Sequence, residues 1–314
     1  MKPFLIVCVI AFNAIAILPS AQGEPAFLPG KRVLFEAHNC YPYHGLWNNR
    51  IDNALSTGFP LAIEIDLVWH SNEETGEGRL AAAHNEPLSG KEPDLKNYFF
   101  ERVRPHIETA LAMNNKADWP LITLNINNIR SNCPAAFVEM WNLTETYASW
   151  LCTAVKGTAP NPPAPMEVKP ILILSSSGSQ EQQHFYNILP EGADLHIFGS
   201  GNPDQDATNF RRWLNYSWEA VEPEGQSNAT EWNTVKKNRL CNLVDHAHQR
   251  GYWIRFYSLN GHPAASSILL GLSPNYNFGA LDVVKVRWKE ADRAHVDFIA
   301  TDQIAKAKEI QQAK

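Results

Sequence analysis

Leu61-Ala-Ile-Glu-Ile-Asp66 is a short apolar run that ends in carboxylates, and it sets the pattern from which the fold is predicted. Seven further runs of this kind recur along the chain with helical patterns between them, which is typical of βα units and a parallel sheet. The predicted strands are 32–37, 60–67, 120–126, 169–175, 193–198, 213–217, 252–258 and 295–300. Eight strands in continuous alternation favour an α/β fold of the closed (β/α)8, or TIM barrel, type over an open doubly wound sheet.

Helical patterns connect most of these strands. They predict helices over 46–57, 94–115, 134–154, 179–188, 231–250, 262–271 and 302–313. No helix is predicted between the fifth and sixth strands, where 201–212 is interpreted as a loop or one short turn. We expect residues 24–314 to form one domain, because that length is usual for a TIM barrel.

Residues 1–23 have the pattern of a cleaved secretory signal peptide. Lys2 precedes an apolar run from Phe4 to Leu18, and small residues occupy Ala21 and Gly23. The apolar run is shorter than the roughly 20 residues that span a bilayer, so we expect cleavage after Gly23 rather than a retained anchor. The sequence therefore predicts a secreted protein, periplasmic in a bacterial host, without stable insertion in a membrane.

The charge distribution argues against nucleic acid as a partner. The formal net charge is −6 at pH 7, and the lysines and arginines are scattered along the chain rather than grouped. A nucleic-acid-binding surface needs a concentrated basic stripe.

Four cysteines follow the predicted signal peptide: Cys40, Cys133, Cys152 and Cys241. None belongs to a CxxC pair of the kind that holds zinc, and an oxidising compartment would favour two disulfides. Three connectivities are possible. A helix over 134–154 would hold Cys133 and Cys152 about 28 Å apart, so we favour Cys40 with Cys133, leaving Cys152 and Cys241 paired or free.

Three motifs place chemistry at strand ends. His38 follows the first strand, and the carboxyl ends of barrel strands are where such active sites are built. Glu64 and Asp66 lie two residues apart at the end of the second strand, so both point to the inside of the barrel. Buried carboxylates need a cation, either an inward Lys or Arg or a hard divalent ion such as Mg²⁺ or Ca²⁺. A hairpin-like extension then returns to His84.

The order Ala-His38, Glu64-x-Asp66, Ala-His84 resembles that of glycerophosphodiester phosphodiesterases and their phospholipase C-like relatives. The segments Gly251–Asn260 and Val296–Asp302 are similar to the last two strands of such barrels. The resemblance implies that Glu64 and Asp66 bind a divalent metal ion and that His38 and His84 act as general base and general acid. It implies a secreted, metal-dependent phosphoric diester hydrolase for a glycerophosphodiester or phospholipid-type substrate.

The third strand departs from this family, which has an acidic ligand and then a lysine where this chain has Asn125 and Asn127. Asn125 can still offer a carbonyl oxygen to the metal, without charge. Asn39 replaces an arginine that many members carry, and we assign it to substrate binding. Arg255 is assigned to a bidentate phosphate contact, with a salt bridge as the alternative. Trp218 is assigned to a substrate groove, with core packing as the alternative.

Other functions remain open. A sphingomyelinase D-like lyase, which transfers the phosphate to an internal hydroxyl, uses a similar arrangement of histidines and acids. A binding protein that lost turnover through Asn125 and Asn127 is a second alternative. A secreted glycosidase is disfavoured, because the fourth and seventh strands lead into Ser175-Ser-Ser and Ser258-Leu-Asn260 and lack the paired carboxylates that such enzymes need.

Overall fold

The computed structural model describes residues 27–43, 46–71, 77–131, 133–159, 162–269, 271 and 276–312. The predicted signal peptide 1–23 lies outside them. The strands of the described residues are β1 (Leu34–Ala37), β2 (Leu61–Glu64), β3 (Leu67–Ser71), β4 (Gly78–Ala82), β5 (Ile122–Ile126), β6 (Ile129–Arg130), β7 (Thr153–Val155), β8 (Met166–Glu167), β9 (Ile171–Ser175), β10 (Asp194–Leu195), β11 (Ile197–Ser200), β12 (Arg211–Ser217), β13 (Trp253–Tyr257) and β14 (Phe298–Thr301).

Eight of these strands close a parallel barrel in the order β1-β2-β5-β9-β11-β12-β13-β14, with β14 returning to β1. Each of the eight overlaps a predicted run, so the predicted TIM barrel is confirmed. The run 193–198 is displaced, because it shares only Ile197 and Phe198 with β11 and otherwise covers β10. The closure is regular, since Glu36 pairs with Ala300 of β14 on one side and with Ala62 of β2 on the other.

The helices lie between the strands. They are α1 (Arg50–Ser56), α2 (Glu101–Met113), α3 (Pro134–Thr146), α4 (Ser179–Gln182), α5 (Thr234–Gln249), α6 (Ala264–Leu269), α7 (Leu281–Arg293) and α8 (Ile304–Gln312). A π-helical turn, Lys96–Phe100, leads into α2, and another, Gln183–Asn187, follows α4. Within the part of the chain that the structure describes, no helix is long and apolar enough to cross a bilayer.

One predicted helix is too long, and one helix was not predicted. The helix predicted over 134–154 ends at Thr146, and Thr153–Val155 form a strand of a small antiparallel sheet, β10-β7-β8. Helix α7 was not predicted, although Val284, Trp288 and Ala291 are buried at the spacing of one helix face. The interpretation of 201–212 as a loop is confirmed as far as Phe210, after which β12 begins.

Alternate residues of the barrel strands point inward and outward. Phe35, Ile63 and Ile299 pack outward in the large core beneath the helices. Leu34 and Trp253 pack inward with Leu172, Trp213 and Phe298 and fill the lower half of the barrel. The apolar lower half leaves the polar side chains at the carboxyl ends of the strands.

A second small sheet, β4-β3-β6, extends from the carboxyl end of β2. β3 pairs antiparallel with β4, and it pairs parallel with β6 through Leu67 and Ile129. The backbone N–H of Ala83 donates to the carbonyl of Asp66 at 3.1 Å, so the chain returns to the barrel just before His84. The predicted hairpin-like extension is therefore present.

The predicted disulfide between Cys40 and Cys133 is wrong in this structure. All four described cysteines, including Cys152 and Cys241, are free thiols. Cys40 is buried after β1, and its Sγ–H donates to the carbonyl of Ala37 at 3.4 Å. Cys133 is instead exposed at the start of α3, so the two side chains have different surroundings.

Candidate active site at the carboxyl ends of the barrel strands

A cavity of about 430 Å³ opens at the carboxyl ends of the strands. It brings together five of the residues selected from the sequence: His38, Asn39, Glu64, Asp66 and His84. The spacing of the motifs along the chain therefore translates into one site, as expected for residues that follow neighbouring parallel strands.

The turn after β1 positions His38. The backbone N–H of His38 donates to the carbonyl of Thr301 at 3.1 Å, which ties the residue to the last strand. Asn39 follows in the left-handed conformation with φ of 56°, which asparagine adopts more readily than most residues. This conformation directs the backbone N–H of Asn39 at Glu64 Oε2, 3.2 Å away.

Both ring nitrogens of His38 face carboxylates. Nδ1 lies 3.0 Å from Asp302 Oδ1, and Nε2 lies 3.1 Å from Glu64 Oε2. Burial alone would lower the pKa of His38, but the two carboxylates outweigh it and raise the pKa above its usual value. Asn39 Nδ2 also lies 2.7 Å from Nδ1. The two carboxylates shift the ring towards its protonated form.

Asp302, to which the sequence analysis gave no role, holds His38 in place. Its carboxylate also accepts hydrogen bonds from Arg50 Nη1 at 2.9 Å, Asn39 Nδ2 at 3.0 Å and Asn260 Nδ2 at 3.2 Å. Burial would raise the pKa of Asp302, but the positive charge of Arg50 and the contact with His38 lower it to about 2. The position directly after the last strand was the available signal.

His84 has a different environment. Its Nδ1–H donates to Asp66 Oδ2 at 2.5 Å, and Arg130 Nη2 lies 3.4 Å from its Nε2. The Tyr41 ring stacks on the imidazole at 5.9 Å between centroids and 7° between planes. His84 therefore has a carboxylate partner at Nδ1 and a guanidinium donor facing Nε2.

Arg255 lies inside the barrel beneath the cavity. Its side chain is 1% exposed, and its Nε donates to Glu36 Oε1 at 2.7 Å. The guanidinium also pairs with Glu64 Oε2 at 3.3 Å and donates to Asn215 Oδ1 at 2.9 Å. Burial alone would lower the pKa of Arg255, but Glu36 and Glu64 raise it. Arg255 does not line the cavity. It is the inward basic residue that the sequence offered as the alternative to a metal ion.

Glu36 was missed by the sequence analysis, although it shares the inward face of β1. Its carboxyl is fully buried, and burial raises its pKa despite the opposing charge of Arg255. Asn125 lies beside it, also fully buried, with Nδ2 3.4 Å from Glu36 Oε2. Asn127 does line the cavity, and its Oδ1 accepts a hydrogen bond from Asn215 at 3.1 Å.

The geometry does not fit one metal ion held jointly by Glu64, Asp66 and Asn125. Glu64 is engaged by Arg255 and His38, and Asn125 lies below the cavity. Among the described residues, no group of three or more His, Cys, Asp or Glu is arranged to hold a metal. One observation favours an ion: Asp66 Oδ1 and Asn125 Oδ1 are buried without hydrogen-bond partners. Binding of Mg²⁺ or Ca²⁺ stays a prediction.

Trp218 is not part of the cavity. It is fully buried, its Nε1–H donates to Glu222 Oε2 at 2.7 Å, and its ring packs edge-on against Phe256 at 5.4 Å. The structure therefore gives Trp218 the core position that was its alternative interpretation.

No family model matches the chain, and no curated protein matches it either. Among solved structures, the chain is similar to a glycerophosphoryl diester phosphodiesterase from Parabacteroides distasonis, with 14% identity, a TM-score of 0.40 and coverage of 90% of this chain and 87% of that chain. It is also similar to an endo-β-1,4-glucanase from Bacillus licheniformis, with 10% identity, a TM-score of 0.42 and coverage of 88% of this chain and 54% of that chain. Likenesses of this strength do not establish a family.

Proposed function

We propose that the protein cleaves a phosphoric diester by acid–base catalysis with His38 and His84. The observation that carries the proposal is the contrast between the two imidazoles of one cavity. His38 faces carboxylates with both nitrogens, whereas His84 faces a carboxylate with one and a guanidinium with the other. One histidine is therefore suited to donate a proton and the other to accept one.

In the proposed reaction His84 is the base and His38 the acid, which is the reverse of the roles that the resemblance implies. His84 Nε2 takes the proton of a water molecule as its oxygen forms a bond to phosphorus. His38 gives a proton to the ester oxygen as its bond to phosphorus breaks, and an alcohol and a phosphoric monoester result. Attack by a hydroxyl group of the substrate in place of water would give a cyclic phosphate with the same proton transfers, which is the lyase alternative.

Asp66 and Asp302 orient the two imidazoles in this scheme. Each carboxylate holds the Nδ1 of one histidine and so fixes the direction in which its Nε2 points. The two Nε2 atoms are thereby directed as the reaction requires, with one base and one acid acting at the same phosphorus. We infer a glycerophosphodiester or phospholipid-type substrate from the resemblance described above, and a secreted location from the predicted signal peptide.

The test is hydrolysis of a panel of diesters by the purified protein: glycerophosphocholine, lysophosphatidylcholine, sphingomyelin and bis(4-nitrophenyl) phosphate. Each assay is run with Mg²⁺, with Ca²⁺ and with a chelator, which also tests the predicted metal. His38→Gln and His84→Gln should each lower kcat by about 10²-fold or more. His106→Gln is the control, because His106 is exposed and does not line the cavity. Absence of turnover from a folded sample would contradict the proposal and favour the binding-protein alternative.

A further inference from the structure

Arg130 is the one Lys or Arg among the described residues that line the cavity. It belongs to β6 and pairs with Val68 of β3, so the small sheet β4-β3-β6 presents it at the cavity wall. Its side chain is exposed, and within the described part of the chain it forms no ion pair. Its hydrogen bond to His84 Nε2 is long at 3.4 Å, which leaves the guanidinium able to take another partner.

The other arginines near the cavity are already engaged. Arg255 is buried against Glu36 and Glu64. Arg50 donates to Asp302 at 2.9 Å and lies over the Trp47 ring at 3.8 Å. Neither guanidinium lines the cavity.

An anion that enters this cavity meets three carboxylates, Glu64, Asp66 and Asp302. Each has a basic partner, but none of these pairs offers a spare positive charge, so an unbalanced phosphoryl group would be repelled. A planar guanidinium with several N–H donors is the side chain best suited to offset that charge, because it matches two phosphate oxygens at once.

We propose that Arg130 binds the phosphoryl group of the substrate and holds it beside His84 Nε2. This inference rests on the proposed function and adds to it a phosphate-binding residue that no motif identified. In the free protein the guanidinium contacts Nε2, and the phosphoryl oxygens replace that contact when substrate binds. Phosphorus is thereby placed next to the nitrogen that takes the proton from the attacking oxygen.

The test compares wild type with Arg130→Ala, Arg130→Lys and the control Arg293→Ala, whose exposed side chain pairs with Glu290 away from the cavity. The first readout is the dissociation constant of inorganic phosphate by calorimetry, which needs no turnover. The second is the separate measurement of KM and kcat on whichever diester is cleaved. Thermal melting by circular dichroism checks that each variant is folded.

We expect Arg130→Ala to weaken phosphate binding and to raise KM by about tenfold or more, as for loss of a charged hydrogen bond. Arg130→Lys should recover part of the affinity, and Arg293→Ala should match wild type. Equal phosphate affinity of wild type and Arg130→Ala, or no phosphate binding by wild type, would overturn the inference. Absence of diester turnover with an Arg130-dependent phosphate affinity would instead contradict the proposed function and leave this site standing.

Discussion

Asp302 Oδ1 lies 3.0 Å from His38 Nδ1, across the seam where the last barrel strand meets the first. The carboxylate is fully buried, and the Arg50 guanidinium balances its charge. His38 therefore receives its orientation from a residue near the opposite end of the chain, and Asp302 and Glu64 together raise its pKa.

Asp302→Asn should lower the pKa of His38, because a carboxylate that raises it is lost. In the proposed reaction His38 is the acid, so the basic limb of the pH–rate profile should move to lower pH, and kcat should fall by about 10²-fold. The measurements are that profile and an NMR titration of the His38 ring. Asp282→Asn, at an exposed position of α7, is the control. A basic limb that does not move would contradict the assignment.

Asp302 should also make the fold sensitive to acid. Its pKa is lowered from 3.8 to about 2 in the folded chain, so its contribution is fully present above about pH 4 and is lost as the pH falls towards 2. A lowering of this size corresponds to about 2 kcal/mol in the free energy of unfolding. We expect the difference in the free energy of unfolding between wild type and Asp302→Asn to shrink as the pH is lowered. Urea unfolding at pH 6, 4 and 2.5 measures this difference. A constant difference would show that Asp302 does not titrate in this way.

Arg255→Met should destabilise the fold strongly, because Glu36 and Glu64 would then be buried without their cation. Removal of one partner of a buried ion pair costs about 3–5 kcal/mol, measurable by urea unfolding. Adding Glu36→Gln should recover part of the loss, since one of the two stranded anions disappears. Arg293→Ala, on the surface, should change the unfolding free energy by less than about 0.5 kcal/mol. A neutral effect of Arg255→Met would argue that the two carboxyls are protonated in the native barrel.

The free cysteines predict a pattern of thiol labelling. In the native protein, Cys133 should react readily with a maleimide, because it is exposed. Cys40 and Cys152 should react only after unfolding, because both are buried and burial raises their pKa values, that of Cys152 to about 12. Mass spectrometry before and after denaturant separates the two groups. Protection of Cys133 without reductant would indicate a disulfide.

The barrel and half of the site could be predicted from the sequence, because they depend on patterns within short segments. Each barrel strand is a short apolar run, and His38, Glu64, Asp66 and His84 lie at or just beyond strand ends, where side chains of neighbouring parallel strands converge. Helix α7 was readable too, from its apolar spacing, and was overlooked.

The other half of the site depends on contacts between segments that are distant in the sequence. The alternation in Trp253-Ile-Arg-Phe-Tyr257 places Arg255 on the inward face, but its pairing with Glu36 joins residues 219 positions apart. The position of Arg130 depends on a small sheet whose strand pairing no short motif encodes. The disulfide prediction failed for the same reason, because the surroundings of Cys40 depend on how the barrel closes.

The contact between His38 and Asp302 has a consequence for biosynthesis, because 264 positions separate the two residues. A chain leaves the ribosome with its amino-terminal end first, so His38 emerges long before its partner. A nascent chain, or one truncated before the last barrel strand, therefore contains every histidine of the site but lacks the carboxylate that orients His38. The enzyme we propose would therefore reach its full activity only when synthesis of the chain is nearly complete.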